Sequence, residues 1–553
     1  MFFSVAKKWL LWLVIFNVFA SCNTKPNADL LLFNGHILSS EFNGFENLGL
    51  AIRGDSILDI GPESELRDKY HFVSEKDLKN GFVYPGFIDA HCHFIGYAKS
   101  LLHIDLRYCR SPEEILKALK KGANEWTKKG ASLKFLEGWG WDQNLWPESK
   151  LPNRNWLDSA FTDIPVILRR IDGHAVWLNT AALQTFEIKA EDCPVGGWMP
   201  SDDSGLTGVL VDNAMNLIPE MEIDSILLIE ALKQAEINCF ASGLTALNDA
   251  GIDFKEITLL RALYTKQILK IPISAMALSE DETMEWVLKQ GPIIDDRFKL
   301  DGFKFFADGA LGSRGALLFK DYHDFPGHKG LLLRSTAELE KAFLRAYRAG
   351  FQVATHAIGD SANHIVLQLY DDILKGKNPL RWRIEHAQVV QRDDLKFFRK
   401  NQIIASVQPT HASSDGHWAE ERLGTDRLKT AYAYKTLLEF SPILPLGTDF
   451  PIEEIYPLAT FRTAVFRPLR SDTSKLFMPE EALTGQEALK GLTIWPAYAQ
   501  FREDDLGSIA IGKKASFTVL NVNLLNSTLR EPNVIQVLST WIFGEAVYLN
   551  PQN

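Results

Sequence analysis

Six residues spread between positions 91 and 449, an HxH pair and four that each end a short apolar run, point to folds that gather many strand ends in one place. They are His91 and His93 in PGFIDAHCHF, Lys304 in GFKFF, His356 in THAIGD, His386 in RIEHAQ and Asp449 in GTDFP. If PGFIDAHCHF is a strand, side chains two apart share a face, so His91 and His93 can grip one cation while Cys92 faces away. Barrels built from repeated strand–helix units place their chemistry at such strand ends. Each residue alone has a plainer reading: an HxH pair arises by chance, a lone histidine is more often a hydrogen-bonded core or surface group, and Asp449 suits a turn before Pro451. Lys304 is harder to explain away, because an unpaired ammonium is costly among the apolar residues of DGFKFFADG.

The segments between these residues supply the rest of a barrel. Eight candidate strands, Phe87–His93, Leu244–Asp249, Ile271–Leu278, Gly302–Phe306, Gln352–His356, Trp382–His386, Ile403–Gln408 and Ile443–Asp449, alternate with amphipathic stretches such as Thr336–Ala349, Ser361–Lys375 and Arg392–Lys400. That alternation predicts an α/β chain with a (β/α)8, TIM-like barrel. With 553 residues, 46% of them hydrophobic, the chain is long enough for such a barrel and a smaller domain.

Both chain ends read as β-rich. LLLFNGHIL, LGLAIRGDSILDIG and GFVYP are separated by turn residues, and IGKKASFTVLNVN and IQVLSTWIFGEAVYL answer them near the C-terminus. A sheet made from both ends buries their apolar faces economically. The expected division is 29–85 plus 472–550 as a composite β-sandwich around a barrel at 86–471. The net charge of −11, with no concentrated basic run, argues against nucleic-acid binding.

Residues 1–21 read as a signal peptide: Lys7 and Lys8 precede an apolar stretch from Trp9 to Ala20 that is short for a membrane span. FASC resembles a bacterial lipobox, with Phe19 in place of the usual leucine, which makes Cys22 the expected lipid anchor and 22–28 a tether. Simple secretion is the alternative. Asn23 is not the aspartate that retains such proteins at the inner membrane, so the expected location is the outer membrane, facing the periplasm. Cys92, Cys109, Cys193 and Cys239 show no CxxC spacing and are read as structural, with no disulfide assigned.

Beyond the six residues, the chain carries GWGWDQNLW (Gly138–Trp146), VILRRIDGHAVWLNTAAL (Val166–Leu183), GLTGVLVDNA (Gly205–Ala214), FFADGALGSRGALL (Phe305–Leu318), QPTHASSDGHWAEERLG (Gln408–Gly424) and the final WIFGEAVY. With these motifs the chain resembles the metal-dependent amidohydrolase superfamily, in the YtcJ-like branch similar to N-substituted formamide deformylase. The resemblance spans nearly the whole mature chain. It implies an extra module inserted after the first barrel strand, here about 96–236, reaching over the barrel mouth. That interval is itself too long for a structureless loop. Ser516, in GKKASFTVL, stands where the superfamily often has aspartate, which bears on domain packing and not on the chemistry.

The resemblance also implies chemistry. Two imidazoles and a carboxylate suit Zn²⁺, one or two ions, and an open position lets the metal lower a water's pKa towards ~7. Lys304 is implied to carry a CO₂-derived carbamate bridging two ions, with His91, His93 and Asp449 on the first and His356 and His386 on the second. Asp449 doubles as proton acceptor and donor, and His174 or His411 assist the oxyanion. Asp172 and His174 are the site candidates of the inserted module. Trp139, Trp141, Trp146, Trp177 and Trp198 form either its core or an aromatic wall for an apolar or aromatic group of a small-molecule substrate. The expected reaction is hydrolysis of N-acyl or N-formyl amines. A cyclic amide, carbamate or ester is the enzymatic alternative, and a non-catalytic solute-binding lipoprotein, which loss of a ligand would signal, is the third reading.

Overall fold

The computed structural model describes residues 25–39, 44–128, 135–219, 225–526 and 535–552. The leader and Cys22 lie outside them. The first seven barrel strands are Phe87–Cys92, Leu244–Ile252, Ile273–Leu278, Phe298–Phe306, Gln352–Ala357, Arg383–His386 and Ile404–Ser406, paired side by side in parallel. Around them run helices whose starts are written locally. Ser335 and Glu338 form a reciprocal cap at Thr336–Arg348, which then buries Leu339, Phe343 and Ala346 along one stripe.

The eighth position departs from the expectation of a strand over Ile443–Asp449. Only Leu446 forms a bridge, to Val407, with Val407 N–H donating to Pro445 O at 3.1 Å and Gly447 N–H to Val407 O at 3.0 Å. On the other edge Ala90 N–H reaches Leu446 O at 3.2 Å and Asp449 N–H reaches His91 O at 2.8 Å, so the segment still closes the circle. Pro442 and Pro445 have no N–H to give a ladder. Gly447 passes so close to the first strand that a Cβ there would lie 2.6 Å from His91 N.

The two chain ends join in one seven-stranded sheet, ordered Glu545–Leu549, Val537–Ile542, Phe517–Leu520, His71–Pro85, Asn27–Leu38, Phe45–Arg53 and Ser56–Gly61. The junction is antiparallel pairing of Phe517–Leu520 with Phe82–Pro85, immediately before the first barrel strand. Ser516 works at this seam, its carbonyl accepting from Gly86 N–H and its hydroxyl from Phe543 N–H. Part of the stretch grouped with the sheet by sequence packs elsewhere. The helices Gly485–Gly491 and Ile494–Ala499 cover the barrel, with Ile88 N–H donating to Leu492 O and Gln352 Nε2 to Ala499 O.

After the first strand, the chain forms a separate six-stranded sheet from Ile104–Asp105, Leu136–Trp141, Val166–Arg170, Ala175–Leu178, Val209–Asp212 and Gly197–Trp198. Its own apolar core includes Leu119, Leu136, Trp141, Trp177 and Val211. Helix Ser225–Ala241, which begins inside the interval read as inserted and runs past its end, packs back on the barrel against Phe94–Ser100. Among the described residues no helix is long and apolar enough to cross a membrane.

Candidate functional site

Strand ends gather all six sequence-predicted residues: His93, Lys304, His356, His386 and Asp449 line one cavity of about 370 Å³, and His91 lies fully buried behind Asp449. His91 comes from the first strand and His93 from the residue just beyond its end, Lys304 from the fourth, His356 from the fifth, His386 from the end of the sixth and Asp449 from the irregular eighth segment. On the sixth strand the alternation of faces breaks. Arg383 and Glu385 face inward, so His386 should face out, but its φ of +72° turns it inward as well. Asp449 likewise has φ of +62°. Such backbone is costly for residues other than glycine, and it occurs here at two positions that face one another.

Asp449 is the convergence point. Its Oδ1 lies 3.5 Å from His91 Nε2 and 3.2 Å from His93 Nε2, and its Oδ2 lies 3.3 Å from His411 Nε2 and 4.0 Å from His386 Nδ1. His91, His386 and Asp449 bring ligand atoms within 4.8 Å of one another. Asp449 Oδ1 is buried and has no hydrogen-bond partner among the described residues. His91 Nδ1–H donates to Glu385, so its Nε2 presents a lone pair towards that same oxygen. The His91 lone pair and an unpartnered carboxylate oxygen, with the His93 and His386 rings beside them, fit a divalent cation of the zinc class. His356 lies beyond this set, its ring 4.6 Å from that of His386.

The charges follow from burial and neighbours. Burial and the nearby Lys304 push His91 down to about 4, and burial holds His356 and His386 well below the usual imidazole range, so all three are neutral, the form that ligates metal. Burial also lowers Lys304 to about 8 despite the carboxylates of Glu385 and Asp449, and its Nζ lies 3.4 Å from His91 Nε2. Burial opposes ionisation of Asp449, but the neighbouring His411 holds it well below the usual carboxylate range. Burial likewise opposes a charge on His411, yet Asp449 raises it to about 9.

The inserted module supplies the opposite wall. His174 lines the cavity with its ring 5.2 Å from that of His356, and its Nδ1 lies 2.7 Å from Asp212 Oδ1. Asp172 accepts from His174 N–H and pairs with the buried Arg170, so it shapes the turn. The tryptophans are not a wall: Trp141, Trp146 and Trp177 pack on one another 6.1–6.2 Å apart inside the module, and Trp198 sits against Phe325 and His328. A large apolar ring gains more from burial in that core than from facing a polar cavity. The cavity's apolar lining comes instead from Phe306, Tyr108, Trp418, Leu145, Ile171 and Ile358. Cys92, Cys109, Cys193 and Cys239 are free thiols.

Several partners escape sequence reading. Glu385 bonds both His91 and Arg383, Gln408 Oε1 accepts from His386 Nδ1–H at 2.7 Å, and Asp89 accepts from His91 N–H, Thr448 N–H and the Thr448 hydroxyl. Asp212 has φ of +51° and ψ of −125°, and its carboxylate fills a hollow bounded by Gly309 and Gly315, where a Cβ would come within 2.6 and 2.5 Å. The strained backbone and that hollow are the signals, and both are visible only in three dimensions.

The profile of the amidohydrolase family matches residues 75–548. The chain is 32% identical over 549 residues to the protein LONG AFTER FAR-RED 3 of Arabidopsis thaliana, covering 94% of this chain and 92% of that one. It is 27% identical over 552 residues to N-substituted formamide deformylase of Arthrobacter pascens, covering 94% and 98%. A crystal structure of an uncharacterized metal-dependent hydrolase from Pyrococcus horikoshii OT3 superposes with a TM-score of 0.72 at 28% identity, over 90% of this chain and 98% of that one. A parallel barrel with its donor cluster at the strand ends and a match of this extent have one reading: the chain belongs to the amidohydrolase family.

Proposed function

We propose that this enzyme hydrolyses non-peptide carbon–nitrogen amide bonds of small molecules, N-formyl or N-acyl amines, with a divalent metal held at the barrel mouth. The observation behind the metal is the buried, unpartnered Asp449 Oδ1 between the Nε2 atoms of His91 and His93. His91, His93 and Asp449 would hold one ion, and His356 and His386 a second. A bound Zn²⁺ supplies Lewis acidity towards the carbonyl and lowers the pKa of water towards ~7. Asp449 takes the proton from the attacking water and returns it to the departing amine. His411, 3.3 Å from Asp449 Oδ2, orients that carboxylate, while His174 faces the substrate from the module side. Phe306, Ile171 and Ile358 offer an apolar surface for the amine or acyl substituent.

Lys304 completes the reading as the carbamate bridge. A neutral Lys304 amine adds CO₂, forming an N–C bond and releasing one proton, and gains two oxygens for metal. Support comes from its full burial, its pKa lowered by that burial to about 8, and its place 3.4 Å from His91 Nε2. The same proposal keeps the enzyme at the outer membrane of a bacterial envelope through lipid on Cys22, resting on Lys7, Lys8, the apolar stretch and FASC. Persistent lipid labelling of Cys22→Ala would remove that part.

The test is metal analysis of the purified mature protein, followed by an amine-release screen over N-formyl and N-acyl amines with cyclic amides and esters alongside. Metal at one or two equivalents and amine release support the proposal. Ester or ring opening without amine release from the open-chain amides would redirect it.

A further inference from the structure

At the centre of the barrel, below the cavity floor, three charged or polar side chains form a line from the sixth strand to the first. Arg383 and Glu385 are both fully buried, and the Arg383 guanidinium pairs through Nε with one Glu385 oxygen while the other takes the Nδ1–H of His91. The free end of the guanidinium reaches Ala90 O at 3.4 Å and Met276 Sδ at 3.8 Å, which ties it to the first and third strands. Burying an ion pair costs more desolvation than a well-packed apolar pair, so stability alone does not account for one here. Neither oxygen of Glu385 is directed at the cavity, and Glu385 does not line it.

The neighbouring ligand candidate is held differently. His386 Nδ1–H donates to Gln408, a neutral carboxamide, at 2.7 Å. Both contacts fix a tautomer with Nε2 turned away from them, but the charged carboxylate raises the basicity of the imidazole it holds more than a neutral carboxamide does. The two strand-end histidines therefore differ as ligands although their ring centroids are only 4.8 Å apart.

We propose that Glu385, clamped by Arg383, is the positioning residue for His91: it locks the Nδ1–H tautomer and makes the His91–His93–Asp449 position the tighter of the two for a divalent cation. The inference rests on reading this cluster as a metal centre, and it adds which position fills first and which residue decides it. Glu385 touches neither substrate nor the reacting atoms, so its effect passes wholly through His91.

The experiment is a Co²⁺ titration of metal-stripped full-length protein, followed by the visible d–d spectrum and by chelator competition, on wild type and Glu385→Gln. Gln can still accept from Nδ1–H but carries no charge, so the first equivalent should bind about 10- to 100-fold more weakly while the second changes little. Thermal unfolding of the metal-free proteins tests folding. If Glu385→Gln does not fold, Glu385→Gln combined with Arg383→Met removes both charges and is titrated instead. An unchanged first affinity in a folded variant overturns the proposal and leaves the hydrolase reading standing. A wild type that binds no metal overturns both, and tight metal binding without amine release from any amide sinks only the substrate reading.

Discussion

His174 Nδ1 and Asp212 Oδ1 lie 2.7 Å apart within the inserted module, where the His174 ring faces His356 of the barrel and the Asp212 carboxylate packs against Gly309 and Gly315. Burial alone would lower the His174 pKa, but the Asp212 hydrogen bond outweighs it and raises the imidazole above its ordinary 6.5. Removing the carboxylate while keeping its shape should therefore uncouple the imidazole from its tautomer and charge. Asp212→Asn is expected to lower kcat by about 10²-fold with a much smaller change in KM, and His174→Asn to do the same without an additive loss in the double variant. Steady-state kinetics on the best amide from the screen checks this. Unchanged kcat in both would make the pair scaffolding.

At Asp449 the chemistry can be separated from ligation. Asp449→Asn keeps the shape and one weak oxygen ligand, so some metal should remain on His356 and His386. Turnover per bound metal should fall by at least about 10²-fold, because the proton acceptor is gone. A wild-type rate with an unchanged acidic limb of the pH profile would move the proton transfers to His411 or His174.

Lys304→Ala should lose most metal and activity, with partial recovery in short-chain carboxylic acids that can occupy the space of a carbamate. Metal content by elemental analysis and rates with and without added carboxylate provide the readout. Full metal and full rate in the variant would take Lys304 out of the site.

A pH effect on stability is expected at Glu236, which does not line the cavity. Burial raises its pKa above the ordinary 4.5, although the N–H groups of Ile271 and Lys270 pull it back. A carboxyl raised on folding binds its proton more tightly in the native state. Its contribution is thus most favourable below the unfolded pKa and diminishes as pH rises through the raised value. Glu236→Gln keeps an acceptor for both N–H groups without the charge. Wild type should lose stability relative to this variant as pH is raised from 4 to 7 in denaturant unfolding, and parallel curves would contradict it.

The six strand-end residues are legible because His91 and His93 form an HxH pair and the other four end apolar runs, and seven of the eight strands follow from such runs. The eighth departs from its apolar run for a local reason: Pro442, Pro445 and Gly447 leave the segment one bridge instead of a ladder. Glu385 was illegible because strand alternation, applied to RIEHAQ, sends it outward if His386 points in, and only the positive φ at His386 lets both face the interior. Its partner His91 is 294 residues away. Asp212 closes an ordinary apolar run, GVLVD, and nothing local distinguishes it from a turn residue. The tryptophans show the reverse error, since residues of that size are conspicuous in sequence whether they line a cavity or fill a core.

The hollow around Asp212 bears on how such a protein can change. The carboxylate belongs to the inserted module, whereas Gly309 and Gly315 belong to the loop that follows the lysine-bearing strand. A module transplanted from a relative would seat only on a loop that leaves the same space, and a loop that gained even a methyl group at either glycine would evict the aspartate. The two segments, about a hundred positions apart in the chain, are therefore bound to be inherited together, and a recombinant that exchanges one without the other should express as a barrel with a gaping mouth.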